Sequence, residues 1–354
     1  MPSLPIDRRR QRRGARARRA PCRVGVVGAG YMGRRHARVY SGLGGLCELH
    51  GVYDTDRARA RAVAERYETR VYGSLEDLLA DVQAVSIASP SSRHVEQATA
   101  AIAAGVDVLI EKPVALDRGE AQMLCAAAAA APERIVQVGL IEHFNPAIGE
   151  LRKLLGSQSL VALDIQRLSP FDGRITDADV VQDLMLHDVH IVLSLARADL
   201  LHVQSAGLSV RSAEPSFDYA VAHLIFADGL IASLSASRIT ESKIRRLAAT
   251  TAEALVAVDY LSRTIEVSRW TRVEDQQEDE RSCRQESVVE RIHVPPEEPL
   301  VAELAAFLRC VRERTRPAVA LDMGVRSLEV VEMIRAAGRR LAPAPAPSTD
   351  LLVA

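Results

Sequence analysis

The chain has 354 residues, of which 48% are hydrophobic and 26% charged, and its formal net charge is −1. That length suggests two domains around a sizeable core, and no apolar run is long enough to span a bilayer, so no membrane partner is expected. Residues 1–20 hold eight arginines and one aspartate, which leaves the remainder mildly acidic and argues against a nucleic-acid partner.

The arginine-rich start (1–20) reads as a disordered tail. A twin-arginine export signal would need an apolar stretch after the arginines, yet Ala20-Pro21 leads directly into a strand pattern. A polyanion-binding arm is the alternative. From 21 to 141, strand patterns near 22–27, 47–53, 83–89, 106–110 and 135–140 alternate with helical ones near 31–41, 56–66, 94–104 and 117–131. This alternation predicts parallel strands with right-handed crossovers.

After about 145 the pattern changes. A helix near 146–155 precedes strands at 159–168, 201–211, 218–226, 230–238, 245–250, 254–259 and 264–270. Asp228-Gly229 between two apolar runs signals a hairpin. A helix near 180–196 interrupts the series, 271–290 reads as a solvated loop or irregular hairpin, and helices near 299–314 and 323–341 close the fold. The Ala-Pro-rich end, 343–354, reads as a second disordered tail. The expected fold class is therefore α/β: an N-terminal doubly wound parallel sheet over 21–141, and a C-terminal α+β domain over 142–342 with a large open, mostly antiparallel sheet. Five cysteines at 22, 47, 125, 283 and 310 form no CxxC pair, which fits a reducing compartment and a cytoplasmic protein.

Residues 23–33 read Arg-Val-Gly-Val-Val-Gly-Ala-Gly-Tyr-Met-Gly. A β-branched run enters a turn at Gly28, Gly30 and Gly33, and a helix follows. Glycine lets the backbone turn sharply and approach a pyrophosphate, and the helix start offers free N–H groups. Gly28, Ala29, Gly30, Tyr31, Met32 and Gly33 are thus candidate cofactor-binding residues of a Rossmann domain. Asp54 ends the second strand pattern, where a ribose-binding carboxylate is expected. It would repel a 2′-phosphate, so the expected cofactor is NAD. The plainer alternative is a tight βα turn with no cofactor. Ser89, Pro90 and His94, after the third strand, are candidates for the nicotinamide ribose.

Glu111-Lys112-Pro113 ends the fourth strand, on the edge where doubly wound sheets bind ligands. Lys112 there would point at the nicotinamide pocket; taken alone it would be a surface lysine. Asp183 and His187 lie one helical turn apart. An aspartate so placed can orient the ring and favour its protonated form, and the pair can move a hydroxyl proton. The competing readings are a helix cap with a core histidine, or a metal site through His187 and His190, for which no third ligand is evident. Glu142 and Asn145 are candidates for the cleft, and Arg167, Arg174 and Arg238 for an anionic substrate group.

The dinucleotide turn, Glu111-Lys112-Pro113 and Asp183-x-x-x-His187, in this order, resemble the glucose–fructose oxidoreductase / inositol dehydrogenase / rhizopine catabolism (Gfo/Idh/MocA) family over residues 22–342. The resemblance implies an NAD(P)-dependent sugar or cyclitol oxidoreductase with Lys112, Asp183 and His187 as its catalytic residues, assembled as a dimer or tetramer through the open sheet. The stretches 139–146, 167–171 and 183–188 look like the branch that oxidises UDP-N-acetylglucosamine at C3, ahead of amination for the 2,3-diamino sugars of lipid A. The chain departs from that branch at Leu140, His143 and His190, in place of histidine, arginine and aspartate. Oxidation of inositol or a free sugar, and a regulatory protein that binds NAD without chemistry, are the rival expectations.

Overall fold

The computed structural model describes residues 20–156, 158–171, 178–212, 216–275 and 282–340. Apart from Ala20, the two expected tails lie outside these residues. The first sheet is parallel and contains β1 (Cys22–Val27), β2 (Cys47–Tyr53), β3 (Arg70–Val71), β4 (Ala84–Ile87), β5 (Asp107–Glu111) and β6 (Val136–Gly139). Their spatial order is β3-β2-β1-β4-β5-β6. Strands β4 and β5 are buried along their whole length, as helices on both faces require.

Those helices are α1 (Tyr31–Gly42), α2 (Arg57–Tyr67), α3 (Leu75–Asp81), α4 (His94–Ala103) and α5 (Arg118–Ala130). Local chemistry starts three of them: Asp56, Ser74 and Asp117 each accept a backbone N–H of the first turn, satisfying donors that would otherwise be orphaned. The strand order reverses between β1 and β4, which places a ligand crevice at their carboxyl ends.

Helix α6 (Pro146–Leu155) leads to the second sheet, which contains β7 (Leu160–Leu168), β8 (Leu200–Leu208), β9 (Tyr219–Phe226), β10 (Ile231–Ser237), β11 (Ile244–Thr251), β12 (Ala254–Asp259), β13 (Thr264–Asp275), β14 (Ser282–Ile292) and β15 (Gly338–Arg340). The order is β14-β13-β12-β11-β7-β10-β9-β8-β15. Only β7–β10 and β8–β15 are parallel pairs, so the sheet is mostly antiparallel. Asp228-Gly229 turns β9 into β10, with Gly229 at φ +89°. Of the two readings of 271–290, solvated loop or irregular hairpin, the described residues take the hairpin, a ladder that pairs from Ile265↔Ile292 to Asp275↔Ser282. Charged side chains do not oppose pairing where they match across strands, as Arg291–Glu266 do at 3.0 Å.

The stretch expected as one helix over 180–196 is a π-helical turn (Val181–Met185) followed by α7 (Leu186–Leu195). Two further helices, α8 (Pro299–Glu313) and α9 (Leu321–Ala337), complete the chain. Helix α8 packs on the first sheet rather than the second. Leu300, Leu304, Phe307, Leu308 and Val311 share one core with Val24, Val26, Tyr40 and Leu109. The chain then touches β6 through the Val138 N–H, which donates to Val319 O at 2.9 Å.

Phe307 is fully buried in that shared core. Phe307→Ala is therefore expected to cost about 3–5 kcal/mol of stability, read as a lower denaturant midpoint with an unchanged slope.

Candidate active site

The glycine turn has the shape of a pyrophosphate cradle. Gly28 has φ +91°, and a Cβ there would lie 2.6 Å from Ser89 N; one on Gly33 would lie 1.7 Å from Gly28 O. Side chains at either position would close the β1–α1 turn. Gly30 caps α1 without any side-chain hydrogen bond, so the helix start keeps its N–H groups for a ligand. Asp54 braces the turn: it accepts from Ala29 N at 2.6 Å and Asp56 N at 2.7 Å. These residues fit a dinucleotide. Tyr31 is half exposed beside Arg35, whose guanidinium stacks on its ring. Ser89 donates to Gln97, and both ring nitrogens of the buried His94 meet carbonyls, of Pro113 and Ser89. Among the expected cofactor contacts, His94 thus serves to pin the β4–α4 loop to the Lys112-Pro113 turn.

Lys112 stands at the end of β5. Its Nζ donates to Asp183 Oδ1 at 2.6 Å and to Asp183 O at 3.1 Å. One ammonium thereby joins the first sheet to the π-helical turn of the second domain. Glu111 is buried and turned away, with Oε1 on His36 Nε2 at 2.9 Å and Oε2 accepting Lys112 N at 3.2 Å. It holds the Lys112 backbone rather than facing the cofactor crevice. Behind it the Glu303 carboxyl is fully buried without a partner. Burial, and then the Glu111 charge, push it well above the usual carboxylate range.

The expected Asp183–His187 pairing is corrected by the geometry. The Asp183 carboxylate is bound to Lys112, and His187 Nδ1 is buried with no hydrogen-bond partner among the described residues. Burial, then the charges of Lys112, Arg167 and Arg245, hold His187 well below the usual histidine range. The environment favours the neutral imidazole, not the protonated ring that an aspartate partner would stabilise.

The expected substrate ligands are largely spent on structure. Arg167 is 3% exposed and grips Asp188 through Nε and Nη2 (2.7–3.0 Å) and Glu142 through Nη1 at 2.9 Å. Burial raises the Glu142 carboxyl, but the Arg167 charge and hydrogen bond outweigh it and hold Glu142 below its usual range. Asn145 is buried, donates to Glu142 and caps α6 through Ala147 N. Arg238 donates to Ala178 O at 2.5 Å and lies 3.8 Å from Asp218. Arg174 lies outside the described residues. Arg245 is the residue that sequence reasoning missed. It is buried across from Arg167 in the β11–β7 register, and the only signal was its place in Ile244-Arg-Arg-Leu247, where strand alternation turns one arginine inward.

Two of the three departures from that branch, His143 and His190, meet each other. His143 Nδ1 lies 2.9 Å from His190 Nε2 and 2.8 Å from Arg152 Nη2. With Arg152 donating, His143 Nδ1 is an acceptor and His190 Nε2 carries a proton. Burial and the Arg152 charge push His143 down to about 3 and His190 down to about 4. His190 is thus engaged away from His187, and no group of three or more potential metal ligands forms among the described residues.

Residues 22–140 match the model of the Gfo/Idh/MocA oxidoreductase family, NAD-binding Rossmann fold. Over 247 residues, 69% of this chain and 76% of the relative, the sequence is 37% identical to a UDP-N-acetylglucosamine 3-dehydrogenase of Acidithiobacillus ferrooxidans. The chain belongs to this family. As a Gfo/Idh/MocA member it is a dehydrogenase acting on CH–OH groups. It is also 37% identical to an inositol 2-dehydrogenase of Saccharopolyspora erythraea, over 39% of this chain and 42% of that protein. The solved structure of the Acidithiobacillus ferrooxidans enzyme superposes with a TM-score of 0.79 at 32% identity, covering 90% of this chain and 97% of that one. A myo-inositol 2-dehydrogenase from Lactobacillus plantarum, at 19% identity, shares the fold with a TM-score of 0.73.

Three histidines held below their usual range by desolvation and neighbouring positive charge, His143, His187 and His190, set a pH dependence. Each has a folded pKa below the unfolded value of about 6.5, so below that pH the unfolded chain binds more protons. Their stability contribution is present above about pH 6.5 and is lost as pH falls toward 4, at up to about 1.4 kcal/mol per pH unit for each histidine. Melting temperature should fall over this window, and His143→Gln with His190→Gln should flatten the fall.

Proposed function

We propose that the protein oxidises a ring hydroxyl of a nucleotide-sugar, UDP-N-acetylglucosamine at C3, with NAD as hydride acceptor. The observation that supports the chemistry is the Lys112–Asp183 contact of 2.6 Å at the carboxyl end of β5, with the Lys112 charge acting on His187. Identity of 37% with a dehydrogenase of that sugar nucleotide supports the substrate. Gly28, Gly30 and Gly33 with the α1 N-terminus would hold the pyrophosphate, and Asp54 the adenosine ribose, where its charge disfavours a 2′-phosphate. When bound, the nicotinamide supplies the hydride-accepting carbon.

The residues of the chain manage the proton. Neutral His187 accepts it from the substrate hydroxyl. Lys112, kept in place by Asp183, sets its ammonium against the alkoxide that develops as the C–H bond breaks. In the reverse direction His187 returns the proton to the oxygen. The 3-keto product is a substrate for an amine-transferring enzyme. The open face of the second sheet, where small residues such as Ala162, Ser233 and Ala248 alternate with polar ones, would pair with a second copy.

Cofactor reduction across UDP-sugars, free hexoses and inositols tests the substrate. UDP-N-acetylglucosamine should give the highest kcat/KM, and an inositol in that place would overturn the assignment. NAD should outperform NADP, and Asp54→Ser should narrow the gap. Lys112→Ala and His187→Ala should each lose about 10²–10⁴-fold in kcat with near-native NAD affinity. Asp183→Asn should lower the rate too, with less than additive effect beside Lys112→Ala. Native single-turnover rates in the Lys112→Ala, His187→Ala double variant would move the chemistry elsewhere.

A further inference from the structure

Three arginines are buried among the described residues: Arg167, Arg238 and Arg245. Arg167 and Arg238 each have a carboxylate partner. Arg245 has none. Its Nη1 donates to Leu168 O at 2.6 Å and Ile244 O at 2.8 Å, and its Nη2 to Ser169 Oγ at 2.7 Å. These bonds use three of five N–H groups. The Nε–H and one Nη2–H remain.

A buried guanidinium without a counter-ion is costly, and Arg245 shows that cost. Burial and the neighbouring Arg167 charge bring it down to about 10. The acids near it are already engaged: Asp188 and Glu142 hold Arg167, and Asp183 holds Lys112. Arg245 is also among the cations acting on His187, so it belongs to the neighbourhood of the reacting hydroxyl. Its orientation is fixed by Ser169, which is itself anchored: the Ser169 N–H donates to Ser237 O, and Ser169 O accepts from Thr240. A preset fork with two open donors suits a phosphoryl oxygen.

We propose that Arg245, oriented by Ser169, takes a phosphoryl oxygen of the substrate and so selects phosphorylated sugars over uncharged ones. This rests on the nucleotide-sugar reading above. The diphosphate of such a substrate hangs from the anomeric carbon, one sugar ring from the carbon oxidised. Arg245 then fills the role expected from the sequence for Arg167, Arg174 and Arg238.

The test compares UDP-N-acetylglucosamine, N-acetylglucosamine 1-phosphate and N-acetylglucosamine as substrates of the full chain with NAD. Relative to the uncharged sugar, Arg245→Gln should lower kcat/KM for both phosphorylated sugars by about 10–100-fold, mainly through KM. Arg245→Lys, which keeps the charge but not the fork, should restore only part of the preference. If the native enzyme prefers phosphorylated sugars and Arg245→Gln keeps that preference, the Arg245 assignment falls while the substrate reading stands. If the native enzyme shows no such preference, both fall. Melting temperature and NAD affinity check folding. Should Arg245→Gln fail to fold, Ser169→Ala decides: a preference reduced about threefold supports the assignment, and an unchanged one overturns it.

Discussion

The Lys112–Asp183 contact ties the two sheets together at the candidate site. The crevice at the glycine turn belongs to the first sheet, and Asp183 and His187 belong to the helical layer of the second. A single ammonium, held at 2.6 Å by a carboxylate and at 3.1 Å by the carbonyl of the same residue, sets the distance between them. The π-helical turn at Val181–Met185 makes this double grip available, because a π turn takes backbone carbonyls out of the regular α-helical ladder. Such insertions recur at functional sites for that reason.

Behind this contact lies a layer of buried charge that fixes directions more than it adds stability. Asp188, Arg167 and Glu142 form a chain from α7 through β7 to the turn after β6. Desolvation of such groups roughly offsets their attraction. What they contribute is position: Asp188 follows His187 directly, so its grip on Arg167 holds the stretch of α7 from which His187 projects. The positive charges around His187 keep it ready to accept a proton rather than already carrying one.

Element types were legible in the sequence because most of them carry strong periodicity or capping signals. Helix α6, with Asn145 at its cap and Pro146 in its first turn, matches its expected span. The two-residue β3 and short α3 were not seen; neither is long enough to show a period. The π turn was hidden because its residues continue the helical apolar pattern. Motif order singled out Lys112, Asp183 and His187 as candidates, whereas it did not show which residues they meet. Arg167, Glu142 and Asn145 are the residue types that bind polar substrates, but their partners lie up to 25 positions away, and only the fold shows that they satisfy one another. The pairing of His143 with His190 across 47 positions was likewise invisible, although both had stood out as departures.

Helix α8 has a consequence for the order in which the protein can be made. Its apolar face completes the core under β1, β4 and α1, yet it is encoded at the far end of the chain. At translation rates of about 5–20 residues per second, the roughly 160 residues between β6 and α8 take on the order of 8–30 s to synthesise. Throughout that interval the nascent nucleotide-binding unit exposes the groove meant for Leu304 and Phe307. The nucleotide-binding unit therefore leaves the ribosome ahead of the second sheet yet is finished only after it, and its vulnerability to aggregation is a matter of timing as well as composition.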